Sequence, residues 1–535
     1  MSKSQPYTVA CAGGLVTGSN AIDLLKTPGV ATELRNFEVS TKGGYRRING
    51  FTKFGGNSAV QPTGSSTTIL GAIPYADGVV VCAGTSIYFS QTGTSWLEIN
   101  RASVASSGDN HTAFTGRSVL TRTNQAQCQF ALFESATSNY GTLIISDGVN
   151  KPYAFRMEGT GSLTSRTFFG EEITVTGTKG VEYITVHDKH LIAAGVEDNL
   201  NTVFFSGTLD PTDFTSTGSG SIALEDQIKG IKSFRNELFI FCENSIFKLQ
   251  NINNSNTIAV IPVTKNVGCL SGHSIQEIAG DLIFLAPDGL RTVAGTARIG
   301  DVELGTVSSN IQNIVSDLAE SVNIFTINSV VLREKSQYRL FYTNIGADDS
   351  TQRGIIGTLR PNGFEWSETR GLEVTAIGSG FDSSGIEQYY HGDTNGNVYL
   401  HDSGADFNGT NILARYTTPN YDYGDLGTLK TLHYLRVSMA TEGIVEPDVQ
   451  IKFDFNSSDV PQPTDLFDLG IINPPSLFGE AVFNTNKFAG QNNPMIRVPL
   501  QGSGTSNNFT VISNDTKPSY TVNGLYVDFI PSGRR

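Results

Sequence analysis

The chain alternates short apolar runs with turns rich in Gly, Asp, Asn and Ser. Ser233 to Gln250 gives the clearest example. Leu238 to Cys242 is one apolar run and Ile246 to Leu249 a second, with Glu243, Asn244 and Ser245 as a polar turn between them and Arg235, Asn236 and Glu237 as a turn before. Two runs this close predict an antiparallel hairpin, because a helix needs a longer segment with period 3.6. A lone hairpin is not stable, so it requires sheets on both faces.

The phrase repeats. Its central turns fall near residues 77, 141, 189, 236, 281, 337 and 388, at spacings of roughly 45 to 55 residues. That period suits propeller blades, each a four-stranded sheet that buries both faces on its neighbours. The strands therefore read as continuous apolar runs rather than strict alternation. The expectation is an all-β chain with a β-propeller of about six blades, six or seven by the count of turns, over residues 63–408. The wide gap between 77 and 141, with a polar stretch from Ser103 to Gln127, predicts a long loop or insertion. One helix is expected at Asn310 to Leu318, where apolar residues fall at 311, 314, 315 and 318 and Ser308, Ser309 or Asn310 is placed to cap it.

Outside the repeats the pattern changes. Asn36 to Val39 and Tyr45 to Ile48 predict a hairpin about Lys42, Gly43 and Gly44. Towards the other end, Val449, Ile451, Phe453 and Phe455 alternate, and further strands are expected at Met495 to Leu500, Phe509 to Ile512 and Tyr520 to Ile530. A ring has to be sealed by its two ends. Residues 1–62 and 409–535 are therefore expected to form one β-rich, sandwich-like platform domain.

Composition narrows the function. A net charge of -14 excludes a general basic surface for holding nucleic acid. It is compatible with a wall along which a polyanion slides, since phosphate pairing is what creates affinity. The five cysteines stand far apart with no CxxC pair, and read as small buried residues of a reducing compartment. No secretory signal and no run of about 18 apolar residues is visible, so synthesis in a cytosol without a membrane segment is expected.

Several stretches together resemble the tail nozzle (tail hub) proteins of short-tailed bacteriophages, also described as packaged-DNA stabilisation proteins or tail tubular protein B. They are Pro28-Gly29 before Arg35-Asn36-Phe37-Glu38, then Gly43 to Gly50, then Phe204 to Phe214, and finally Gly502 to Gly504, Tyr520 to Tyr526 and Gly533-Arg534-Arg535. The chain is shorter than the nozzles of the larger short-tailed phages. The resemblance implies a homohexameric ring in the virion tail, below the portal and adaptor. In that ring a propeller and a platform surround a channel for retaining and ejecting the genome. The DNA would pass between subunits without specific binding. Its implied partners are the adaptor and a tail fibre, tailspike or needle, with the protein made in the host cytoplasm. Arg46, Arg47, Arg534 and Arg535 are the candidate docking residues for an acidic partner. For Arg46 and Arg47 the alternative is one solvated arginine and one partly buried beside Tyr45.

Chemistry is sought and not found in the sequence. Asp393-Thr394-Asn395-Gly396-Asn397 starts like a calcium loop, but Gly404 stands where a bidentate Glu is wanted, so a hairpin turn is the better reading. Glu171-Glu172 and Asp348-Asp349 are neighbours in sequence, which does not oppose two carboxyls across a sugar. His187 with His190, and His391 with His401, lack an evident third metal ligand. No GxSxG, P-loop or HExxH occurs. The expectation is a non-enzyme without cofactor or metal. The alternative is a carbohydrate-binding or receptor-binding propeller, an adhesin or glycosidase-like protein, with Trp96 and Trp366 as sugar-stacking candidates. Core packing in blade turns is the other reading of both tryptophans. A peptide-binding scaffold propeller in a host cell is a third possibility.

Overall fold

The computed structural model describes residues 4–534 apart from 100–109, 112–117, 122–125, 135–139, 178–179, 255–256, 295–305, 322–325, 344–352, 383, 459–461, 465 and 471–494. The hairpin at the centre of the sequence pattern forms as Glu237–Cys242 and Ile246–Gln250, inside a four-stranded sheet with Ile228–Phe234 and Ala259–Thr264. Its leading turn is tight because Arg235 and Asn236 both take positive φ, 49° and 62°, which twists the chain in the sense a two-residue hairpin needs.

The same unit recurs around an axis. Among the described residues six blades have at least four strands, the innermost being Ile69–Tyr75, Gln129–Phe133, Val181–His187, Ile228–Phe234, Asn328–Leu332 and Ala376–Phe381. A shorter, three-stranded sheet, Gln276–Ile278, Asp281–Ala286 and Gly289–Thr292, stands between the blade beginning at Ile228 and the one beginning at Asn328. Apolar clusters lie between successive sheets, for example Phe241, Ile246 and Cys269 against Leu282 and Phe284. Two-sided burial of this kind is why the strands read as unbroken apolar runs.

The helix runs from Gln312 to Ser321 after a tighter turn at Ser309–Ile311, with Ile311, Val315 and Leu318 buried. No side chain caps that turn; the Ser308 hydroxyl accepts instead from the backbone N–H of Leu290, at 3.1 Å. Within the expected insertion, Asn110–His111 pairs in parallel with Phe169 and Gly170 on the outer edge of its blade. Most of that stretch lies outside the described residues.

The chain ends meet in two sheets. In the first, Phe37–Val39 and Tyr45–Arg47 lead to Tyr520–Arg534, which pairs on its other edge with Thr428–Thr441 and, beside Tyr45–Arg47, with Gln5–Ala10. In the second, Glu33–Arg35, Ile412–Thr417, Asn507–Asp515 and Asp448–Phe453 lie side by side. Phe37, Tyr45, Leu435 and Val522 from the first sheet share one core with Tyr416, Val449, Ile451 and Val511 from the second. Val449, Ile451 and Phe453 alternate inward as their spacing predicts, but Phe455 does not: it turns outward at φ 56° in the short helical turn Asp454–Asn456 and is exposed.

Two strands bind this sandwich to the propeller. Arg35 pairs with Glu368 on the outer strand of the blade that begins at Asn328, so that blade and the second sheet are continuous. Phe51–Lys53 serves as the outermost strand of the last blade, against Val398–His401. An early segment of the chain thus completes the last blade.

Candidate functional site

Two places gather side chains that can do more than pack: the seam where the early hairpin meets the last two blades, and the propeller axis.

The seam begins with Glu38, a buried carboxylate between Phe37 and Val39. Arg339 Nη2 donates to Glu38 Oε2 at 2.9 Å and to Asp402 Oδ1 at 2.9 Å. Lys335 Nζ spans the same pair, 3.0 Å from Glu38 Oε1 and 2.7 Å from Asp402 Oδ2. Arg46 joins from the hairpin, donating to Glu38 Oε1 at 2.8 Å and to both oxygens of Glu442 at 2.6 and 2.7 Å. Burial alone would push the Asp402 carboxyl up, but Arg339 and Lys335 outweigh it and hold it well below the usual range. Beside it His401 Nε2 accepts from Arg339 Nη1 at 3.1 Å, and its Nδ1 faces His391 Nδ1 at 3.3 Å. Burial holds both imidazoles neutral, with the pKa of His391 lowered to about 3. The cluster ties the hairpin to two blades at once.

This alters the reading of the candidate docking arginines. Arg47 is 1% exposed; its guanidinium donates to the carbonyl of Asp515 at 2.6 Å and lies 2.9 Å from the Asp515 carboxylate. Arg46 is mostly buried and paired as above. Arg46 and the terminal nitrogens of Arg47 are bonded within the chain, and the Arg47 Nε is buried, so neither offers a free guanidinium to a partner; the buried neighbour of Tyr45 is Arg47. Arg534 ends the strand Tyr520–Arg534, and Arg535 lies outside the described residues.

The other sequence candidates are absorbed by the fold. Asp393 Oδ1 accepts from the backbone N–H of Asn397 at 2.7 Å, and Oδ2 from Asn397 Nδ2 at 2.9 Å and the Tyr399 hydroxyl at 3.0 Å. The carboxylate shapes its own hairpin turn and has little left for a cation. His190 bonds the carbonyl of Ser206 at 2.6 Å and the Asn253 side chain at 2.7 Å, and His187 the Ser233 hydroxyl at 2.9 Å. Glu171 and Glu172 are exposed at the end of an outer strand, and Asp348-Asp349 lies outside the described residues. Trp366 is fully buried, stacked on Phe364 and donating to the carbonyl of Val307 at 2.8 Å. Trp96 donates to the carbonyl of Val60 at 2.9 Å and meets Phe54 edge-on. Among the described residues no three His, Cys, Asp or Glu side chains converge on a metal-sized space.

On the axis, the inner strands enclose a cavity of about 310 Å³, with Lys232, His273, Gln276, Asn328 and Ser329 among its lining. A second cavity of about 110 Å³ adjoins it at His273 and is lined by Gln127, Glu182, Lys229 and Ser271. Sequence reading missed both groupings. Their only trace in the sequence is a charged or amide residue set in an apolar strand, such as Glu38, Lys232 or Arg339.

No family model matches the chain, and no curated protein matches it. Among solved structures it is similar to the N-terminal domain of Nup159, at 12% identity over 51% of this chain and 88% of that one, with a TM-score of 0.31. It is similar to an exo-beta-1,3-galactanase from Phanerochaete chrysosporium at 10% identity over 90% and 100% of the two chains, with a TM-score of 0.26. PorZ of Porphyromonas gingivalis matches at 9% identity over 76% and 54%, with a TM-score of 0.37. At these values none of the three carries a function to this chain.

Proposed function

We propose that this β-propeller protein is a structural subunit of a short-tailed bacteriophage tail, forming the nozzle ring below the portal and adaptor. The observation that supports the reading is the joining of the chain ends. Tyr520–Arg534 pairs with both Gln5–Ala10 and Tyr45–Arg47, and Phe51–Lys53 completes the last blade. The sequence resemblance implies this combination of a platform made from both termini and a propeller. In the proposed ring six copies surround a channel, and the genome passes between them. The axial cavity, at about 310 Å³, has the size of a small-molecule pocket and is no passage for a duplex. Net charge of -14 suits a wall that lets a polyanion slide. With Arg46 and Arg47 occupied internally, Arg534 and Arg535 remain as docking residues towards the adaptor. For the sugar-binding alternative Trp366 is buried in the core, and Trp96 is half-buried with its N–H held by the Val60 carbonyl.

Electron microscopy of the purified chain mixed with its adaptor tests the reading. Six-fold rings with an axial hole are expected; isolated monomers that ignore the adaptor would overturn it.

A further inference from the structure

The first sheet of the terminal sandwich has one face on the core and one outside. Leu525, Val527, Leu435 and Val437 point into the core, so the residues between them stand on the opposite face. The register sets four of those outer residues in a row across the strands: Thr8 beside Tyr526, Tyr526 beside Arg436, and Arg436 beside Arg497. One rung along, Asp528 lies beside Tyr434. Arg497 is exposed, and Arg436, Tyr434 and Tyr526 are half-buried.

Two arginines directly opposite each other on neighbouring strands repel, and the sheet does little to relieve them. Arg436 has a loose contact with Asp528, at 3.4 Å, and its guanidinium lies 4.8 Å from the centre of the Tyr526 ring. Arg497 makes no ion pair or hydrogen bond among the described residues; its guanidinium lies over the Tyr434 ring, 3.5 Å from its centre. Stacking on tyrosine holds a guanidinium in place and leaves its N–H edges open. Tyrosine and arginine also dominate the binding energy of protein interfaces, where lysine and glutamate are scarce. This face has no lysine or glutamate over residues 6–10, 434–438, 495–499 or 524–528, in a chain of net charge -14. Its four strands and three rungs make a panel of roughly 200 Å². A folded partner needs about 800 Å² per side, so the panel alone suits a short segment rather than a second copy of the chain. Nucleic acid is disfavoured, because a long polyanion would also meet the acidic surface around the panel.

We propose that the outer face of this sheet docks a short acidic peptide segment of a partner protein, its carboxylates on Arg436 and Arg497 and its neighbouring residues against Tyr434 and Tyr526. A guanidinium fork meets a carboxylate with two parallel hydrogen bonds, so the segment relieves the repulsion of the arginine pair as it binds. The surface lies beyond the nozzle reading, and either can fail without the other.

The test is fluorescence anisotropy of a fluorescein-labelled peptide of alternating glutamate and threonine, about six residues long and so able to cross the panel, titrated with the full chain at low salt. The matching peptide of glutamine and threonine and a thymidine oligonucleotide of similar length serve as controls. Saturable binding of the glutamate peptide is expected, weakening as salt is added, with both controls at least about tenfold weaker. Arg497→Glu should cost the peptide at least about tenfold. The same variant should melt no lower than the parent, because the substitution turns a repelling cross-strand pair into an attracting one. Arg497 is exposed, so loss of binding in R497E is not loss of the fold. No saturable binding, equal affinity for the glutamine peptide, tighter binding of the oligonucleotide, or an unchanged affinity in R497E would overturn the proposal.

Discussion

Glu38 stands between Phe37 and Val39 in a strand otherwise made for burial, and its surroundings explain how a charge survives there. Arg339, Lys335 and Arg46 all reach it, and Asp402 balances the cations. A buried charge is costly to strand once its partner is removed. Glu38→Ala should therefore lower unfolding stability by about 3–5 kcal/mol, read by urea denaturation. A loss below about 1 kcal/mol would mean that the cluster behaves like an exposed pair. Acidity acts on this cluster and on the propeller axis through neutral histidines. His391 and His273 have folded pKa values of about 3 and about 4, below the ordinary 6.5, and His401 is lowered as well. The unfolded chain therefore takes up their protons more readily. Their stabilisation is complete above pH 6.5 and is lost as pH falls towards those folded values. Melting temperature should be flat above pH 6.5 and fall below it, and His391→Gln should flatten part of that slope. Asp402 adds a later loss, since its depressed carboxyl lends stability that disappears only below the ordinary carboxylate range.

Hairpins were legible because they are local. The turn at Arg235 and Asn236, the pair Glu237–Cys242 with Ile246–Gln250, and the inward alternation of Val449, Ile451 and Phe453 all follow from spacing that a reader of the sequence sees. Phe455 broke its pattern because Asp454 Oδ1 accepts from the N–H groups of Thr505 and Ser506, at 2.7 and 3.1 Å, fixing a turn where the strand would have continued. The internal engagement of Arg46 and Arg47 escaped the sequence for a similar reason. Their partners Glu442 and Asp515 lie about 400 residues away or more in the chain, beyond any local signal. The strand Phe51–Lys53 shows what such distant pairing does. Phe54 N–H donates to Val398 at 2.9 Å, and Thr52, two residues earlier, meets Leu400 in the same phase. Thr52→Pro removes that donor. The variant should melt earlier and become sensitive to proteases near residue 400, whereas a proline at exposed Ser66 should change little. Equal behaviour of the two variants would show that this strand does not hold the last blade.

At the level of the whole molecule the expectations concern surfaces. An acidic protein that guides a polyanion should show no saturable binding of duplex DNA at about 0.15 M salt, measured by fluorescence anisotropy. Micromolar affinity that falls steeply with salt would instead point to phosphate pairing and against a sliding wall. If the last two arginines dock the adaptor, replacing Arg534 and Arg535 by Glu should reduce co-sedimentation with it while leaving the melting temperature within about 2 °C of the parent. An unchanged complex would remove those residues from the interface.

Repetition of apolar runs at a steady period settled in advance that strands would dominate and wrap as blades, because each run records two-sided burial at its own position. Tertiary structure alone decided which blade is short, which early strand completes the ring, and where buried charge collects. Those outcomes depend on groups hundreds of residues apart coming within about 3 Å of one another, as Glu38 does with Arg339 at 2.9 Å, and no property of either neighbourhood records the other.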